Sequence, residues 1–475
     1  MKTSALILLT ALLLAACGSE ERPTAQHLLI ISVDTLRVDR LGCYGGRPNV
    51  SPAIDRLAQE GVRFETAFST ASSTLPAVTT VMTGKYPSEH GVLANRYFPI
   101  PDSEDFLAEK LGEAGFSRGA FVANQLLAAP SGVGQGFETH ETYSPHASQL
   151  TMDAEQDMTS DAARWMREHF KDDGRAFLWV HYMQPHAPYD PPKYGPELTD
   201  PGYRGGIDGS RETLNRVYVE KQQLSPADLD HVLGLYDASV RYVDDLIDRL
   251  LVELRGTGQL ESTLVVFVAD HGEDLYDHNA YFYHANSVYR SSLQVPLIFS
   301  WPGTVEPGRV APELVSSVDI RQTILSMLGV GRDAGGDGHD LSPLIRGEAS
   351  TPRELAFSQF EEDIFTVFSD RWTFVDNVSE VTPRHIPTEG EYPVARRELY
   401  DRSTDRDEQT DISSDQAKLV ERFENSIAEW RSQLRKPGEA VSDRRSLSEL
   451  EQLRRLGYTG KGSRPKSSPK DDEDD

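Results

Sequence analysis

Residues 28–34 read Leu-Leu-Ile-Ile-Ser-Val-Asp, and this stretch indicates the fold of the chain. Its residues are mostly apolar over the length of a strand, and the run stops at a carboxylate. Continuous runs of this kind are typical of parallel strands that are buried on both faces of a sheet. The residue directly after such a strand lies at the carboxyl end of the sheet, where open α/β folds bind their ligands.

Two later segments repeat this arrangement. Residues 177–182 form an apolar strand followed by His186, and residues 263–269 form one followed by Asp270 and His271. Shorter strands are expected at 62–68, 119–123 and 295–299, and helices at 72–84, 103–115, 152–170, 225–254 and 318–328. This alternation predicts an α/β fold with a large, mostly parallel sheet sandwiched by helices, with the polar clusters on one rim.

The character of the chain changes near residue 350. Segments 355–368, 371–375 and 397–401 have the pattern of antiparallel strands, and 417–434 and 447–456 that of exposed helices. We therefore expect a large α/β domain over 27–345 and a smaller C-terminal α+β subdomain, whose antiparallel strands lie within 346–415. A helical tail over 416–460 and a disordered acidic tail over 461–475 would follow.

Charge excludes one class of partner. The chain has 475 residues, with 48 Lys and Arg against 75 Asp and Glu, and a net charge of −27. Binding to nucleic acid requires a basic face that neutralises phosphates, so we expect no nucleic-acid partner. A small anionic substrate stays possible, because a metal ion and a few local cations can dominate a pocket.

The first 17 residues resemble a bacterial lipoprotein signal peptide. Lys2 supplies a positive charge, residues 6–14 form an apolar run too short to span a bilayer, and residues 14–17 read Leu-Ala-Ala-Cys. The resemblance to the lipobox implies that Cys17 is lipidated and anchors an exported protein to a membrane of the bacterial cell envelope, with a linker over 18–26. An ordinary secretory signal is the alternative. Cys43 then remains without a partner for an internal disulfide.

Residues 72–84, Ser-Ser-Thr-Leu-Pro-Ala-Val-Thr-Thr-Val-Met-Thr-Gly, have the features of a helix. Hydroxyl residues precede a Pro in the first turn, apolar residues follow, and Gly84 ends the segment. Thr74 would lie where backbone N–H groups and the positive end of the helix dipole favour an anion. By itself the stretch indicates an N-cap and nothing more.

The polar residues at the strand ends match a metal site. Asp34, Asp270 and His271 would be joined by the Thr74 hydroxyl to give four oxygen and nitrogen ligands. This set suits one divalent ion (Ca²⁺, Mg²⁺, Mn²⁺ or Zn²⁺) and differs from the thiolate sets of structural zinc. A metal ion on Thr74 would make a weak alcohol a nucleophile.

Four histidines accompany these positions. His181 and His186 bracket one strand end, and His278 and His284 follow the other. Each is a candidate for acid–base catalysis or for holding substrate oxygens, although a single His is more often structural. The candidate substrate-binding residues are His181, His278 and Lys85.

Five segments then suggest a family. They are residues 30–46 (IISVDTLRVDRLGCYGG), 74–92 (TLPAVTTVMTGKYPSEHGV), 180–188 (VHYMQPHAP), 265–273 (VVFVADHGE) and 284–297 (HANSVYRSSLQVPL). Together they resemble the sulfatase family of the alkaline phosphatase superfamily. The resemblance implies an alkaline phosphatase-like fold and a metal ion held by Asp34, Asp270 and His271 beside the nucleophile. It also implies that His186 and His284 contact the transferred group, with His284 as general acid.

The nucleophile position departs from this family. Sulfatases carry Cys or Ser in a C/S-x-P-x-R motif and oxidise it to formylglycine, whereas this chain has Thr74 and Val78 at the first and last positions. The extra methyl group on the Thr Cβ blocks oxidation to an aldehyde, so we expect no formylglycine. Thr35 stands where many sulfatases have a second metal-binding Asp, which favours one metal ion. The sequence thus resembles the Thr-nucleophile, sulfatase-like branches of the superfamily.

These features predict a metal-dependent ester hydrolase with a covalent intermediate on Thr74. We expect a phosphate ester in preference to a sulfate ester, carried by a small molecule, a glycan or a lipid. One alternative is a transferase that moves a phospho-headgroup onto envelope lipids or glycans. A second is a non-catalytic, lipid-anchored binding protein, against which the intact Asp34, Asp270 and His271 argue.

Overall fold

Eight strands form one large, mostly parallel sheet. The computed structural model describes residues 24–95, 100–143, 153–191, 193–220, 222–278, 282–285, 287–332, 335–348, 353–381, 384–385, 390–391 and 394–435. The sheet strands are β1 (His27–Val33), β2 (Val62–Phe68), β3 (Ser117–Val122), β4 (Thr139–Thr142), β5 (Ala176–Tyr182), β6 (Thr263–Ala269), β9 (Leu297–Ser300) and β10 (Arg309–Ser316). Strands β7 (Asp274–Leu275) and β8 (Phe282–Tyr283) form a separate short hairpin between β6 and β9. The order of the sheet strands is β10-β2-β9-β6-β1-β5-β3-β4. Neighbours are parallel except at β9, which is antiparallel to β2 and β6.

The described residues form twelve α-helices. They are α1 (Pro52–Gln59), α2 (Thr74–Thr83), α3 (Pro87–His90), α4 (Leu107–Glu113), α5 (Asp153–His169), α6 (Gly195–Leu198), α7 (Arg211–Val219), α8 (Pro226–Thr257), α9 (Arg290–Leu293), α10 (Asp319–Met327), α11 (Ser342–Ile345) and α12 (Ala417–Gln433). Every residue of β1, β5 and β6 is buried. Because successive side chains in a strand point to opposite faces, both faces are covered. The predicted helix-sandwiched α/β sheet is confirmed.

A smaller antiparallel sheet follows in the chain. It consists of β11 (Ala356–Phe360), β12 (Ile364–Phe368), β13 (Trp372–Asn377) and, after a two-stranded hairpin of β14 (Arg384–His385) and β15 (Gly390–Glu391), β16 (Arg397–Asp401). Helix α12 packs on it through buried residues at helical spacing: Val420, Phe423, Ile427 and Trp430. The predicted smaller C-terminal sheet is confirmed.

The register of the three central strands decides where the polar residues lie. Val33, the last residue of β1, pairs with Tyr182 at the end of β5 and with Ala269 at the end of β6. The Asp34 N–H then donates to the Tyr182 carbonyl at 2.9 Å. Parallel strands that end at one level place the residues after them at one rim, so Asp34 and Asp270 come together.

Several boundaries differ from expectation. The helix predicted to start at Ser103 starts at Leu107, because the Glu109 carboxylate accepts the Phe106 N–H at 2.8 Å. The predicted segment 355–368 is two strands joined by a turn. The sequence does not predict strand β10, because the exposed residues in its first half and Pro312 weaken the strand pattern.

Some predictions fall outside the described residues. They concern the signal peptide 1–17 with Cys17, the helix 447–456 and the tail 461–475, which stay predictions. None of the helices in the described part of the chain combines the length and hydrophobicity that a membrane crossing requires.

Aromatic packing joins the two sheets, which predicts a large effect of one truncation. The ring of Phe368, which is 0% exposed, stacks on Phe68 with centroids 3.7 Å apart. The Phe368→Ala substitution should lower the free energy of unfolding by about 3–5 kcal/mol, measured by urea denaturation, because it leaves a cavity at this contact. The control Val252→Ala, at a position 54% exposed on α8, should change it by less than about 0.5 kcal/mol. Equal losses in the two variants would contradict this packing role.

Candidate active site

The rim of the sheet gathers most of the predicted site residues. Asp34 follows β1, His181 lies in β5, Asp270 and His271 follow β6, and Thr74 is the first residue of α2. His186 lies in the loop after β5 and His284 follows β8. All seven side chains are buried, so the structure places them in one water-poor cluster.

Three of these residues form a candidate metal centre. One ligand atom each from Asp34, His181 and Asp270 lie within 4.8 Å of one another. Asp34 Oδ1, His181 Nε2 and Asp270 Oδ2 have no hydrogen-bond partner among the described residues. A buried polar atom without a partner is costly unless a ligand satisfies it. The donor set of two carboxylates and an imidazole therefore fits a divalent cation.

The electrostatics also favour a cation. Burial, together with the neighbouring Asp34, raises the pKa of Asp270 to about 6, and burial raises that of Asp34 well above its usual range. Burial lowers the pKa of His181 and of His271 to about 4 each. Two close carboxylates without water repel one another, and a divalent ion would offset that repulsion.

His181 has a different place from the one predicted. Its Nδ1 is 2.8 Å from the Ser32 hydroxyl, and its Nε2 lies 3.7 Å from Asp34 Oδ2. The Trp179 indole N–H also donates to the Ser32 hydroxyl at 2.8 Å, which fixes that oxygen. The imidazole thus faces the carboxylates as a metal ligand would, whereas the sequence predicts that it binds substrate.

Thr74 and His271 are neighbours at the start of α2. Thr74 Oγ1 lies 3.4 Å from His271 Nε2. His271 Nδ1 is 2.8 Å from the Gly272 carbonyl, which can only accept, so Nδ1 carries the proton and the neutral ring turns its lone pair toward Thr74 and the carboxylates. The Nε2–Asp270 Oδ2 distance is 3.5 Å. Thr74 therefore has its hydroxyl beside the candidate metal centre, at the positive end of a helix.

His186 and His284 form the other side of the cluster. The His284 ring lies 4.6 Å from the His271 ring and 4.8 Å from the His186 ring. His284 Nδ1 is 2.9 Å from Glu273 Oε1. The His186 Nδ1–H donates to the Ala187 carbonyl at 2.7 Å.

The structure places Lys85 and His278 away from this cluster. Lys85 lies beyond the far end of α2 and forms an ion pair with the buried Glu104 at 2.7 Å. His278 Nε2 lies 3.2 Å from the Glu408 carbonyl, and the His278 ring stacks on Tyr289. Both side chains are thus held by local contacts, although we had assigned them to substrate binding.

Three residues of the site were missed by sequence reasoning. Asn124, which follows β3, donates from Nδ2 to Asp34 Oδ2 at 2.6 Å. Asn95 accepts the Leu75 N–H at 2.9 Å and so caps the start of α2. Glu273 is fully buried against His284. Like Asp34, Asn124 is a polar residue just past an apolar strand, and this pattern predicts its position at the rim of the sheet.

Thr35 shows backbone strain beside the metal centre. Its φ is 56°, a left-handed conformation that a β-branched residue rarely adopts. The strained residue donates its N–H to Asp270 Oδ1 at 3.2 Å, and its carbonyl accepts the Tyr236 hydroxyl at 2.6 Å. The turn thereby fixes the Asp270 carboxylate in place.

Loss of a carboxylate should weaken metal binding. Asp270→Asn removes one negative ligand, and we expect at least about tenfold weaker binding of Mg²⁺, Ca²⁺, Mn²⁺ or Zn²⁺, by titration calorimetry on chelator-treated protein. The matched control is Asp244→Asn, a buried carboxylate of α8 whose Oδ1 accepts the Ile54 N–H at 2.9 Å, as an amide oxygen can. Unchanged affinity in Asp270→Asn would contradict the metal centre.

Comparison with known proteins agrees with this architecture. The family profile described as Sulfatase matches residues 26–330, and that of the N-sulphoglucosamine sulphohydrolase C-terminal region matches residues 278–433. An arylsulfatase of Clostridium perfringens is 24% identical over 400 residues, which cover 71% of this chain and 82% of that protein. An N-acetylglucosamine-6-O-sulfatase of Bacteroides thetaiotaomicron is 22% identical over 444 residues, covering 75% and 78%.

A solved structure shows the same fold. The phosphonate monoester hydrolase of Agrobacterium radiobacter superposes with a TM-score of 0.70 at 21% identity, over 86% of this chain and 96% of that one. The fold is thus alkaline phosphatase-like. Since the Sulfatase profile spans well over half of the sequence, the chain belongs to the sulfatase family.

Proposed function

We propose that this chain is a metal-dependent hydrolase that cleaves a phosphate ester through a covalent intermediate on Thr74. The observation that carries the proposal is the position of the Thr74 hydroxyl, at the start of α2 and 3.4 Å from His271 Nε2, beside the Asp34, His181 and Asp270 cluster. A hydroxyl at a metal centre and at a helix N-terminus is suited to nucleophilic attack.

The identity of residue 74 favours phosphate. Sulfatases use formylglycine, whose hydrate can release sulfate by elimination. Threonine cannot be oxidised to an aldehyde, so a sulfated Thr74 would have no such route and would need attack at sulfur. A phosphorylated threonine can be resolved by attack of water at phosphorus. The relatives include both a sulfatase and a phosphonate monoester hydrolase by name, so both chemistries are compatible with this family.

Asp34, His181, Asp270 and His271 would hold the divalent cation. When bound, the cation would lower the pKa of the Thr74 hydroxyl, so that its proton leaves to solvent, and would offset the negative charge of the ester. Asn124 orients the Asp34 carboxylate through its 2.6 Å hydrogen bond.

The Glu273–His284 pair supplies the proton for the leaving group. Burial raises the pKa of Glu273 to about 8, and burial together with the charge of Arg211 lowers that of His284 to about 3. The pair therefore keeps one proton at neutral pH. Since Glu273 is bound at His284 Nδ1, the Nε2 atom is the one that can meet the ester oxygen.

The reaction then has two displacements. Thr74 Oγ1 attacks phosphorus, the bond from phosphorus to the alcohol oxygen breaks, and His284 Nε2 protonates that oxygen. Water next attacks the phosphothreonine; its proton passes to His284, and the Thr74 oxygen–phosphorus bond breaks. The second step restores both residues, as general acid–base catalysis with one His requires.

Removal of the hydroxyl tests this assignment. Thr74→Ala should lower kcat/KM by at least about 10³-fold, because the nucleophile is lost, whereas Thr74→Ser should keep most of the activity. Ser72→Ala removes a neighbouring buried hydroxyl and should leave the rate unchanged. The assay uses metal-loaded protein with 4-nitrophenyl phosphate, methyl 4-nitrophenyl phosphate and 4-nitrophenyl sulfate, and follows nitrophenol.

Different results would favour different alternatives. Turnover of the sulfate alone would overturn the phosphate preference, and full activity in Thr74→Ala would overturn the nucleophile. Transfer of the phosphoryl group to an added alcohol in preference to water would indicate the transferase. If the protein neither binds a metal ion nor turns over any ester, the non-catalytic binding protein is the alternative that is favoured.

A further inference from the structure

Among the described residues, Arg211 is an arginine next to the site that has no carboxylate partner. Arg211 is the first residue of α7 and is half-buried. Its Nη2 donates to the Ala187 carbonyl at 3.0 Å, the same carbonyl that accepts from His186 Nδ1 at 2.7 Å. Helix α7 also packs against β8, and His284 directly follows β8. The guanidinium is therefore held beside His186 and His284.

Arg37, another cation near the site, is already paired. It donates to the Glu273 carbonyl and forms ion pairs with Asp39 and Asp277. Among the residues that the structure describes, no carboxylate oxygen lies within the 4.0 Å ion-pair distance of Arg211. A half-buried guanidinium without a counter-charge is costly in the absence of an anionic ligand.

The field of Arg211 acts on the centre of the site. Besides burial, its charge lowers the pKa of His284 and of His186, and it opposes the rise in the pKa of Glu273. The Ala187 carbonyl and the Tyr283 side chain hold part of the guanidinium. The guanidinium has five N–H donors in a planar fork that matches a phosphate oxyanion.

The start of α2 offers no comparable group. Val78, one turn after Thr74 on α2, is apolar and buried, at the position where sulfatases carry the Arg of their motif. The site must nevertheless attract an anionic ester in a protein of net charge −27. A cation from another element can meet that need.

We propose that Arg211 is the anion-binding residue of this site, contacting an oxyanion of the ester substrate through its guanidinium fork. The inference rests on the proposed function and deepens it, because it assigns substrate binding to α7. The oxyanion has two sources: the non-bridging oxygens of the reacting phosphate, or a second anionic group on the alcohol portion, which lies on the side of His284.

Binding of inorganic phosphate tests Arg211 without turnover. Metal-loaded wild-type protein should bind phosphate, and Arg211→Gln should weaken that binding by about tenfold in titration calorimetry, with Arg211→Lys between them. The matched control is Arg216→Gln, an exposed arginine on the same helix, which should bind like the wild type. Melting temperatures of the variants exclude unfolding as the cause.

Turnover then identifies the oxyanion. Methyl 4-nitrophenyl phosphate is compared with its 3-carboxy-4-nitrophenyl analogue in wild type and Arg211→Gln. A loss of about 100-fold in kcat/KM for both esters assigns Arg211 to the reacting phosphate, and a loss confined to the carboxylated ester assigns it to the alcohol portion. Phosphate affinity and kcat/KM for both esters within twofold of wild type would overturn the proposal. Inactive wild-type protein would instead overturn the proposed function, and the phosphate titration would still decide the role of Arg211.

Discussion

The site depends on the burial of two carboxylates, Asp34 and Asp270, at the ends of adjacent parallel strands. The paired ends of β1 and β6 leave both side chains buried, with Asp34 0% and Asp270 2% exposed. Repulsion between two dehydrated carboxylates is unfavourable unless a cation or protons offset it. Asn124, His181, the strained Thr35 and the start of α2 all serve to hold this arrangement, so one electrostatic constraint organises the rim of the sheet.

Much of this arrangement could be predicted from the sequence, because it depends on local rules. Apolar strands ending at Asp34 and Asp270 predict a common rim, and the helix beginning at Thr74 follows from its Pro and Gly84. The position of His284 beside His186 has no such local signal, since this contact joins residues far apart in the chain. Lys85 and His278 show the reverse: polar residues next to a motif can be held by ion pairs or stacking elsewhere.

Arg211 illustrates why residues that bind substrate are harder to predict from the sequence than catalytic residues. The groups proposed to act on the ester lie at the ends of sheet strands or in segments that contact those ends. The fold therefore determines their positions. Arg211 comes from the segment between β5 and α8, and the shared Ala187 carbonyl links it to His186. A cation on a surface helix has no sequence pattern that distinguishes it from Arg216, five residues later. Val78 stands where sulfatases carry an arginine, so the site lacks that positive charge. Only the fold shows that Arg211 lies near enough to supply it.

The most direct test of the central claim, a nucleophilic Thr74, is to detect the covalent intermediate. The His284→Ala variant, which lacks the base for hydrolysis of the intermediate, is mixed with methyl 4-nitrophenyl phosphate, quenched in acid, digested and analysed by mass spectrometry. We expect a methyl phosphate adduct on the peptide containing Thr74, formed as nitrophenol is released. Release of nitrophenol with no adduct on Thr74, or with the adduct on another residue, would contradict the account.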